Sequence, residues 1–356
     1  FNTYVGYSNK YRLTSSSGGG ASYLIDELLK NQIVDAVIAV KEGNNSFYEY
    51  AIIRSTDDIT VASKTKYYPV TLATVIEQLR SNDERFAIVG IACFIKSIRL
   101  LQYYHPELRE KIKFTIGIIC GGIKSRFFAE YLAGRAGVES NQFSDPQFRI
   151  KDFQSTASDY SYGCKDENGN LHTIKMREVG DMWGSGMFKN NACDFCDDVT
   201  TELADISLGD AWLNPYNMDG EGNNVIVTRS QLAEELINAG IKSNELSVEP
   251  LAFEAFLSSQ QGSFNHRHKG LGYRMSLAEK RGITIPPKRH GKEKISLDFK
   301  MVQNQRMKVR KLGLIEWAKH KDSNLFDDAM SEPIEKLKRR TKIYHYIRAI
   351  ERRFHL

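Results

Sequence analysis

Four of the five cysteines are spaced in a way that predicts a metal site. Cys93 and Cys120 each end a short apolar run, and Cys193 and Cys196 form a CxxC pair. Two isolated cysteines and one CxxC, spread over about a hundred residues, suit an iron-sulfur cluster held by a large fold better than a zinc ribbon, which uses two closely spaced pairs. The pattern therefore predicts a four-thiolate site that holds a 4Fe-4S cluster.

Each of these cysteines also has a simpler interpretation. A Cys at the end of an apolar strand is often a small buried residue, and a single CxxC can be a redox pair or half of a zinc site. A structural zinc ion bound by the same four thiols therefore remains an alternative interpretation. Cys164 lies in the polar segment 161–169, which predicts a hairpin turn, and is left outside the site.

The apolar runs before Cys93 and Cys120 predict two buried parallel strands. Phe86–Cys93 and Phe114–Cys120 are short and rich in β-branched residues, and the amphipathic stretch 95–104 between them predicts a helix. In such a βαβ unit both strands point the same way, so both cysteines reach the carboxyl edge of the sheet, where open α/β folds bind ligands. Cys93 also opens the following helix, whose N-terminal dipole favours a thiolate.

A Ser/Gly-rich loop, Thr14–Gly20, stands directly before a predicted helix, 21–30. Consecutive glycines and a helix N-terminus suit a phosphate or flavin, although a flexible loop with a Ser N-cap explains the same composition. The loop matches neither the Walker pattern nor GxGxxG. The segment Lys64–Tyr68, also before a predicted helix, offers a cation and an aromatic plane through Lys66 and Tyr67.

The remaining segments predict an α/β fold. Strands are predicted at 34–40, 47–54 and 225–228, helices at 71–80, 125–133 and 230–239, and irregular β structure at about 148–189. After about residue 251 the chain is predicted to be mostly helical, with a break at Pro286 and Pro287. We therefore expect a mixed sheet whose parallel βαβ units carry strand-end cysteines, followed by a mostly helical C-terminal extension.

Composition narrows the class of protein. With 356 residues, 41% hydrophobic, the chain can bury a large core, and it contains no apolar run near the length of a membrane span. No signal peptide is expected. Five cysteines without disulfide-like spacing predict a reducing cytoplasm. No nucleic-acid partner is expected.

The C-terminal segment 335–356 carries the basic charge of the chain. It holds eight Lys or Arg against two Glu, a net charge of +6, whereas the whole chain is +5. Apolar residues recur at spacings that fit one helical face: Ile334, Leu337, Ile343, Ile347, Ile350 and Phe354. This pattern is typical of a helix that lies on an anionic membrane surface or docks an acidic partner, and a solvated helix packed on the body is the alternative.

From about Asn2 to Arg274, the chain resembles the coenzyme F420 hydrogenase/dehydrogenase beta-subunit family, which includes the plant 7-hydroxymethyl chlorophyll a reductase. The resemblance rests on motifs that recur in a fixed order. They are Ser16–Gly19, Lys64–Tyr67, Gly90–Cys93, Ile118–Cys120, and Cys193–Cys196 followed by Ala204–Trp212.

The resemblance implies FAD beside a 4Fe-4S cluster. The implied cofactor contacts are Ser16, Ser17, Gly18, Gly19, Lys66, Tyr67, Asp205 and Asp210, and the implied cluster ligands are Cys93, Cys120, Cys193 and Cys196. Asp205 and Asp210 flank a strand-like segment and would face opposite sides of its pleat, so a catalytic pair is not expected.

The resemblance also implies partners. Electrons would pass between a ferredoxin, or a ferredoxin-like domain, and a small organic substrate or F420. Such a domain often precedes the matching region in the family. Because the chain begins at Phe1 and not at a methionine, we expect that upstream residues, including an N-terminal ferredoxin-like domain, are missing from the sequence. We expect an oxidoreductase domain at 1–284 and a basic helical extension at 285–356. The protein is expected in the cytoplasm, and at the inner face of the membrane if the extension binds lipid. An electron-transfer subunit without its own substrate and a zinc-stabilised binding or assembly protein are the alternatives.

Overall fold

The structure is a computed structural model that describes residues 1–44, 46–291 and 293–354. The strands in these ranges are β1 (Asn2–Ser8), β2 (Ala36–Glu42), β3 (Tyr48–Ile53), β4 (Phe86–Ile91), β5 (Ile112–Ile118), β6 (Ser144–Ile150), β7 (Ser161–Lys165), β8 (Leu171–Lys175), β9 (Ile206–Asp210), β10 (Asn224–Thr228) and β11 (Leu246–Pro250). The α-helices there are α1 (Gly20–Lys30), α2 (Ile59–Ala62), α3 (Ala73–Arg80), α4 (Ala92–Tyr104), α5 (Leu108–Lys111), α6 (Arg126–Arg135), α7 (Met176–Val179), α8 (Gln231–Lys242), α9 (Phe253–Ser259), α10 (Gln261–Phe264), α11 (Leu271–Glu279), α12 (Leu297–His320) and α13 (Ser323–Phe354).

The chain forms two compact units that are interleaved along the sequence. The first contains residues 1–120, 145–163 and 198–261, and the second contains residues 121–144, 164–197 and 262–356. Cys93 and Cys120 belong to the first unit, and Cys193 and Cys196 belong to the second. The expected functional boundary between residues 284 and 285 stays a prediction.

An eight-stranded mixed sheet organises the first unit. Its strand order is β11-β1-β10-β9-β5-β4-β2-β3, and β6, β7 and β8 form a separate three-stranded sheet. The centre of the large sheet, from β2 through β4 and β5 to β9, is parallel, whereas its flanking strands pair antiparallel. The predicted β4–α4–β5 unit is confirmed, with Ile91 opposite Ile118 at the ends of the two strands. The predicted α/β class with a mixed sheet is therefore confirmed.

Helices cover both faces of this sheet. On one face, α1 and α8 bury Leu24, Leu28 and Leu236 against alternate residues of the parallel strands. On the other face, α3 and α4 bury Leu79 and Ile98 against the intervening strand positions. The central strands are apolar on both sides because each face is covered, which explains their unbroken β-branched runs. Each fully buried Leu or Ile contributes about 2 kcal/mol, so this burial stabilises the sheet from which the site loops leave.

The second unit is mostly helical, which confirms the expected helical C-terminal region. Tyr131, Phe188, Trp317 and Phe326 form its aromatic core, with Phe188 and Phe326 stacked at 5.2 Å between ring centroids. The long helices α12 and α13 pack antiparallel, and the predicted break lies between the end of α11 and the start of α12. None of the described helices is both long enough and apolar enough to cross a membrane.

Candidate cofactor and metal sites

Cys93 and Cys120 follow neighbouring parallel strands of the first unit. Helix α4 begins at Ala92 directly after β4, so Cys93 occupies its first turn and is exposed. Cys120 lies two residues beyond the end of β5 and is partly exposed. Close to Cys93, the hydroxyl of Tyr50 donates to the carbonyl of Val89 at 3.1 Å, and burial, followed by the charge of Cys93, raises the pKa of Tyr50. Both thiols therefore leave the carboxyl edge of the sheet, as the strand pattern predicted.

Cys193 and Cys196 lie on one short turn of the second unit. A 3-10 helix, Asn191–Phe195, carries Cys193, and Cys196 is its C-cap. The side chain of Asn190 caps the start of this helix by accepting the N–H of Ala192 at 2.9 Å. Because a 3-10 helix has three residues per turn, positions three apart share a side, so the CxxC thiols face the same way. The N–H of Ile123 donates to Cys193 Sγ at 3.3 Å, a contact that stabilises thiolate character.

Asp194, between the two cysteines, is held by basic side chains of the same unit. Arg310 Nε donates to its carboxylate at 2.7 Å, and His266 Nε2 lies 3.8 Å from the other oxygen. Arg274 Nε donates to its backbone carbonyl at 2.7 Å. Burial, followed by the charges of Arg274 and other neighbouring cations, holds the pKa of His266 well below its usual value. Burial likewise lowers the pKa of Arg274 to about 10.

Buried cations surround this turn. Lys124, Lys189, Arg267 and Arg274 are buried, and Arg306 Nε is enclosed without a hydrogen-bond partner among the described residues. Burial lowers the pKa of Lys189 to about 8, and the Arg267 and Arg306 charges add to the effect. Buried positive charge is costly unless an anion balances it. A thiolate on Cys193 supplies such an anion, and its charge interacts favourably with both Lys124 and Lys189.

The Ser/Gly loop is packed tightly between β1 and β10. Gly19 has φ of 78°, and Asn224 Oδ1 accepts the N–H of Gly20 at 2.9 Å at the start of α1. A Cβ on Gly18 would stand 2.7 Å from the carbonyl oxygen of Gly6 and 2.8 Å from the amide nitrogen of Asn224. The glycine at position 18 is therefore required by packing against protein backbone, whatever the loop binds.

The same loop offers backbone donors. Within the described ranges, no protein acceptor takes the N–H of Ser17, Gly18 or Gly19, and both glycines are buried. Buried amides without an acceptor are rare, because each costs about as much as a lost hydrogen bond. These amides precede the 11-residue helix α1, and a helix N-terminus is the kind of position at which proteins bind anionic groups such as a pyrophosphate.

Ser16 and the Lys64–Tyr68 segment are brought together as the motif order suggested. Ser16 Oγ accepts the N–H of Thr65 at 2.8 Å. The ammonium of Lys66 donates to the carbonyls of Val61 and Ser63, and burial lowers its pKa to about 8. Tyr67 packs edge-to-face on Phe148 at 5.7 Å, and burial raises its pKa. The structure thus brings Lys66 and Tyr67 next to the loop that carries Ser16.

Asp210 ends β9 beside a residue that sequence reasoning missed. Arg149 Nη1 donates to both oxygens of Asp210, at 3.0 and 2.8 Å, and its guanidinium lies 4.7 Å from the ring of Tyr160. The charges of Arg149, Asp210 and Cys120 all act on Tyr67, so these groups share one region of the first unit. Arg149 is buried, and its Nε has no hydrogen-bond partner among the described residues.

Lys151 is a second functional candidate that sequence reasoning missed. Its ammonium donates to the carbonyls of Arg12, Ser17 at 2.8 Å and Glu221 at 2.6 Å, which fixes the Ser/Gly loop. Burial, followed by the charges of Arg149 and Arg12, lowers the pKa of Lys151 to about 8. A sequence signal existed: Arg149 and Lys151 alternate with apolar residues, so in an extended segment they share a face.

Asp205 lies at the other end of β9 from Asp210. Its carboxylate accepts the backbone N–H of Thr115 at 2.9 Å, the hydroxyl of Thr115 at 2.7 Å and Arg99 Nη2 at 3.0 Å. Because β5 and β9 are parallel, these contacts join the amino end of β9 to the middle of β5, away from the cysteine edge. The structure therefore does not bring Asp205 together with Asp210 and the Ser/Gly loop.

The sheet, its cysteine edge and the Ser/Gly loop define a class of protein that comparison identifies. Residues 3–77 match the N-terminal part, and residues 83–253 the C-terminal part, of the family described as the beta subunit of coenzyme F420 hydrogenase/dehydrogenase. The chain belongs to the coenzyme F420 hydrogenase/dehydrogenase beta-subunit family.

Individual relatives are distant. The chain is 21% identical over 247 residues to the F subunit of the F420H2 dehydrogenase from Methanosarcina mazei, and the alignment covers 69% of this chain and 65% of that protein. It is 24% identical over 248 residues to the coenzyme F420-dependent sulfite reductase of Methanocaldococcus jannaschii, covering 65% of this chain and 36% of that protein. The chain thus spans less than two thirds of the length of either protein.

A solved structure shows the same fold. A chain of the F420-reducing NiFe hydrogenase complex from Methanosarcina barkeri aligns with a TM-score of 0.61 and 18% identity. The alignment covers 80% of this chain and 96% of that chain. At this identity the likeness concerns the fold alone.

Proposed function

We propose that the protein is an iron-sulfur flavoprotein oxidoreductase that passes electrons between a 4Fe-4S cluster and FAD. The observation that supports the proposal is the setting of Cys193, whose Sγ accepts the N–H of Ile123 and whose charge interacts favourably with the buried ammonium groups of Lys124 and Lys189. When bound, a cluster supplies one-electron transfer, and a flavin couples one-electron to two-electron chemistry.

In this proposal Cys93, Cys120, Cys193 and Cys196 ligate the cluster. Thiolates are the ligands that iron-sulfur clusters take, and Cys93 and Cys193 stand in local settings that favour the thiolate form. Those settings are the first turn of α4 for Cys93, and the N–H of Ile123 with nearby lysines for Cys193. Hydrogen bonds and buried charges of this kind set the reduction potential of a cluster.

The proposed FAD site is built on Ser16, Ser17, Gly18 and Gly19. The amides of Ser17, Gly18 and Gly19, which have no acceptor within the described ranges, suit the pyrophosphate, and Lys151 keeps the loop in place by binding the carbonyl of Ser17. Lys66, Tyr67 and Asp210 belong to the same proposed site, with Asp210 fixed by Arg149. For Asp205 we propose a structural role, because its carboxylate binds Thr115 and Arg99 and so stabilises the sheet.

The substrate and partners are proposed from the family. Its members' names point to F420, and we propose that F420 or a small organic substrate is reduced or oxidised at the flavin. A ferredoxin, or a ferredoxin-like domain, is the proposed electron partner, and the cytoplasm the proposed location. Because the first relative is named as one subunit of a dehydrogenase, a second candidate is an electron-transfer subunit without its own substrate.

The test is anaerobic purification followed by iron, sulfide, zinc and flavin analysis. We expect iron and acid-labile sulfide in equal amounts, together with FAD, whereas zinc without visible colour would support a structural metal site instead. Cys193→Ser is compared with Cys164→Ser, because Cys164 is buried in β7 of a hairpin and lies outside the proposed ligand set. Iron should be lost only from the first variant. Equal iron in two folded variants, checked by circular dichroism, would contradict the ligand assignment.

A further inference from the structure

Large apolar side chains are exposed at the end of the α12–α13 hairpin that lies opposite its connecting turn. Ile343, Tyr346 and Phe354 are 51%, 68% and 64% exposed, and Leu297 at the start of α12 is 74% exposed. With Met301, Ile347 and Ile350 they form a set that we call the hairpin patch: Leu297, Met301, Ile343, Tyr346, Ile347, Ile350 and Phe354. Scattered single apolar residues are ordinary on a surface, but a cluster of this size marks an interaction site.

Contacts between the two helices bring together the segments that carry the hairpin patch. Arg340 Nη1 donates to the carbonyl of Met301 at 3.2 Å, Phe299 and Tyr344 meet at 4.8 Å, and Arg348 donates to Ser296 at 2.6 Å. The start of α12 therefore lies along the last turns of α13. Positions three and four apart share a helix face, so Leu297 and Met301 form one pair, and Ile343, Ile347, Ile350 and Phe354 form one stripe.

The face that α13 buries is a different one. Phe326, Met330, Leu337 and Tyr344 recur at intervals of four or seven and are buried. The apolar stripe from Ile343 to Phe354 is thus additional to what the hairpin needs for its own packing. The expectation that this segment is only a solvated helix packed on the body accounts for Leu337 and leaves the stripe unexplained.

Cations without acidic partners surround the stripe. Among the described residues, no carboxylate within ion-pair distance is seen for five basic side chains of α13: Lys336, Arg339, Lys342, Arg352 and Arg353. Four of them are exposed. Only Lys338 and Arg348 of this region pair with carboxylates, those of Glu335 and Glu351. An exposed apolar stripe flanked by unpaired cations is complementary to a surface with anionic headgroups above an apolar interior.

We propose that the hairpin patch docks the protein on an anionic phospholipid bilayer. The stripe from Ile343 to Phe354 runs about 17 Å along the helix, long enough to lie in the interface and too short to span it. A bilayer fits better than an acidic protein, because the patch combines an exposed apolar stripe with cations, and a bilayer offers anionic headgroups above an apolar interior. The proposal is independent of the cofactors.

The test uses the full chain and flotation with vesicles. Phosphatidylcholine mixed with phosphatidylglycerol is compared with phosphatidylcholine alone, at low and high salt. We expect binding to the anionic vesicles that fades as salt screens the charges. Removing three cations together, Arg339→Gln, Lys342→Gln and Arg353→Gln, should weaken binding on the order of a hundredfold, at the usual contribution of each basic residue near an anionic surface.

A matched pair of variants tests the apolar stripe. Phe354→Glu changes the hairpin patch, and Leu325→Glu introduces the same charge at a residue of α13 that is 52% exposed and outside the patch. We expect Phe354→Glu to lose binding and Leu325→Glu to retain most of it. Equal binding of the two variants overturns the proposal, as does the absence of salt-sensitive binding to anionic vesicles. Binding to polyglutamate without binding to vesicles overturns it in favour of an acidic protein partner.

Discussion

Arg149 and Asp210 form a two-bond ion pair at the carboxyl end of β9, with Nη1 lying 3.0 and 2.8 Å from the two carboxylate oxygens. Arg149 is buried, and the side chain of Asp210 is 21% exposed. Removing one member of a buried pair is costly because the other charge is left without a partner. The pair therefore fixes β6 to the end of β9, beside Tyr67 and Cys120.

We expect Asp210→Asn to lower the free energy of unfolding by about 2–3 kcal/mol, less than for a fully buried pair because water still reaches the carboxylate. Urea denaturation of the cofactor-free protein measures this change. Asp83→Asn is the matched control, since Asp83 also pairs with a cation, Lys111, but is fully exposed. Its effect should stay within about 0.5 kcal/mol.

A double-mutant cycle isolates the interaction. In Arg149→Met the buried cation is gone, so adding Asp210→Asn should then cost much less than it does in the wild type. Additive effects of Arg149→Met and Asp210→Asn would contradict the pair as a stabilising contact.

The elements with strong local signals were predicted from the sequence. The apolar runs of β4 and β5, and the helices α1, α4 and α8, appear within a few residues of their expected ends. β1 and β11 were not predicted. Their residues pair with partners more than 200 positions away, as Thr3 does with Val227 and Gly6 with Val248. Polar residues, Gly or Pro interrupt the apolar residues of both strands, NTYVGYS and LSVEP, so their pairing depends on tertiary context and their local sequence carries little signal.

The residues of the candidate site also fall into those that the sequence predicted and those that it did not. The glycine loop and the cysteines have recognisable residue types and spacing, so the sequence identified them as candidates. Arg149, Lys151 and the basic cluster around Asp194 were missed, because their role depends on burial next to segments distant in sequence. Only part of the hairpin patch was predicted from the sequence. The apolar pattern of the C-terminal segment included Ile343 and Phe354, whereas Leu297 and Met301 belong to α12 and lie near that segment only because α12 pairs with α13.

The backbone amides of the Ser/Gly loop predict a charge-specific effect on flavin binding. Ser17 Oγ donates to the carbonyl of Asn223 at 3.0 Å, and any longer side chain at this position loses that bond. Ser17→Glu and Ser17→Gln have the same shape and differ by one negative charge. We expect the Glu variant to bind FAD at least about tenfold more weakly than the Gln variant, since a carboxylate near a pyrophosphate repels it.

Flavin content after reconstitution with FAD, and FAD affinity by fluorescence, measure this difference. Iron content should be the same in both variants, which separates loss of flavin from loss of fold. Equal flavin affinity would place the pyrophosphate away from this loop. Gly18→Val is not a suitable test, because its side chain collides with the backbone of Gly6 and Asn224.

Lys151 predicts a pH dependence of stability. Its pKa is about 8 in the folded protein, lowered by burial and by Arg149 and Arg12, against about 10.4 in an unfolded chain. Between these values the unfolded chain keeps the proton that the folded protein has released. Stability rises with pH wherever the unfolded state binds more protons, so the contribution of Lys151 to stability should increase from about pH 8 to pH 10.4.

The measurement is urea denaturation of the wild type and of Lys151→Met at neutral pH and near pH 10. The wild type should gain about 1–2 kcal/mol relative to Lys151→Met over this range, a value reduced from the full shift because the side chain keeps some access to solvent. Lys242→Met, at an exposed position of α8, should leave the wild-type pH dependence unchanged. If the wild type instead loses stability relative to Lys151→Met as the pH rises, the three carbonyls of Arg12, Ser17 and Glu221 outweigh burial. The ammonium would then hold the Ser/Gly loop as a permanently charged group.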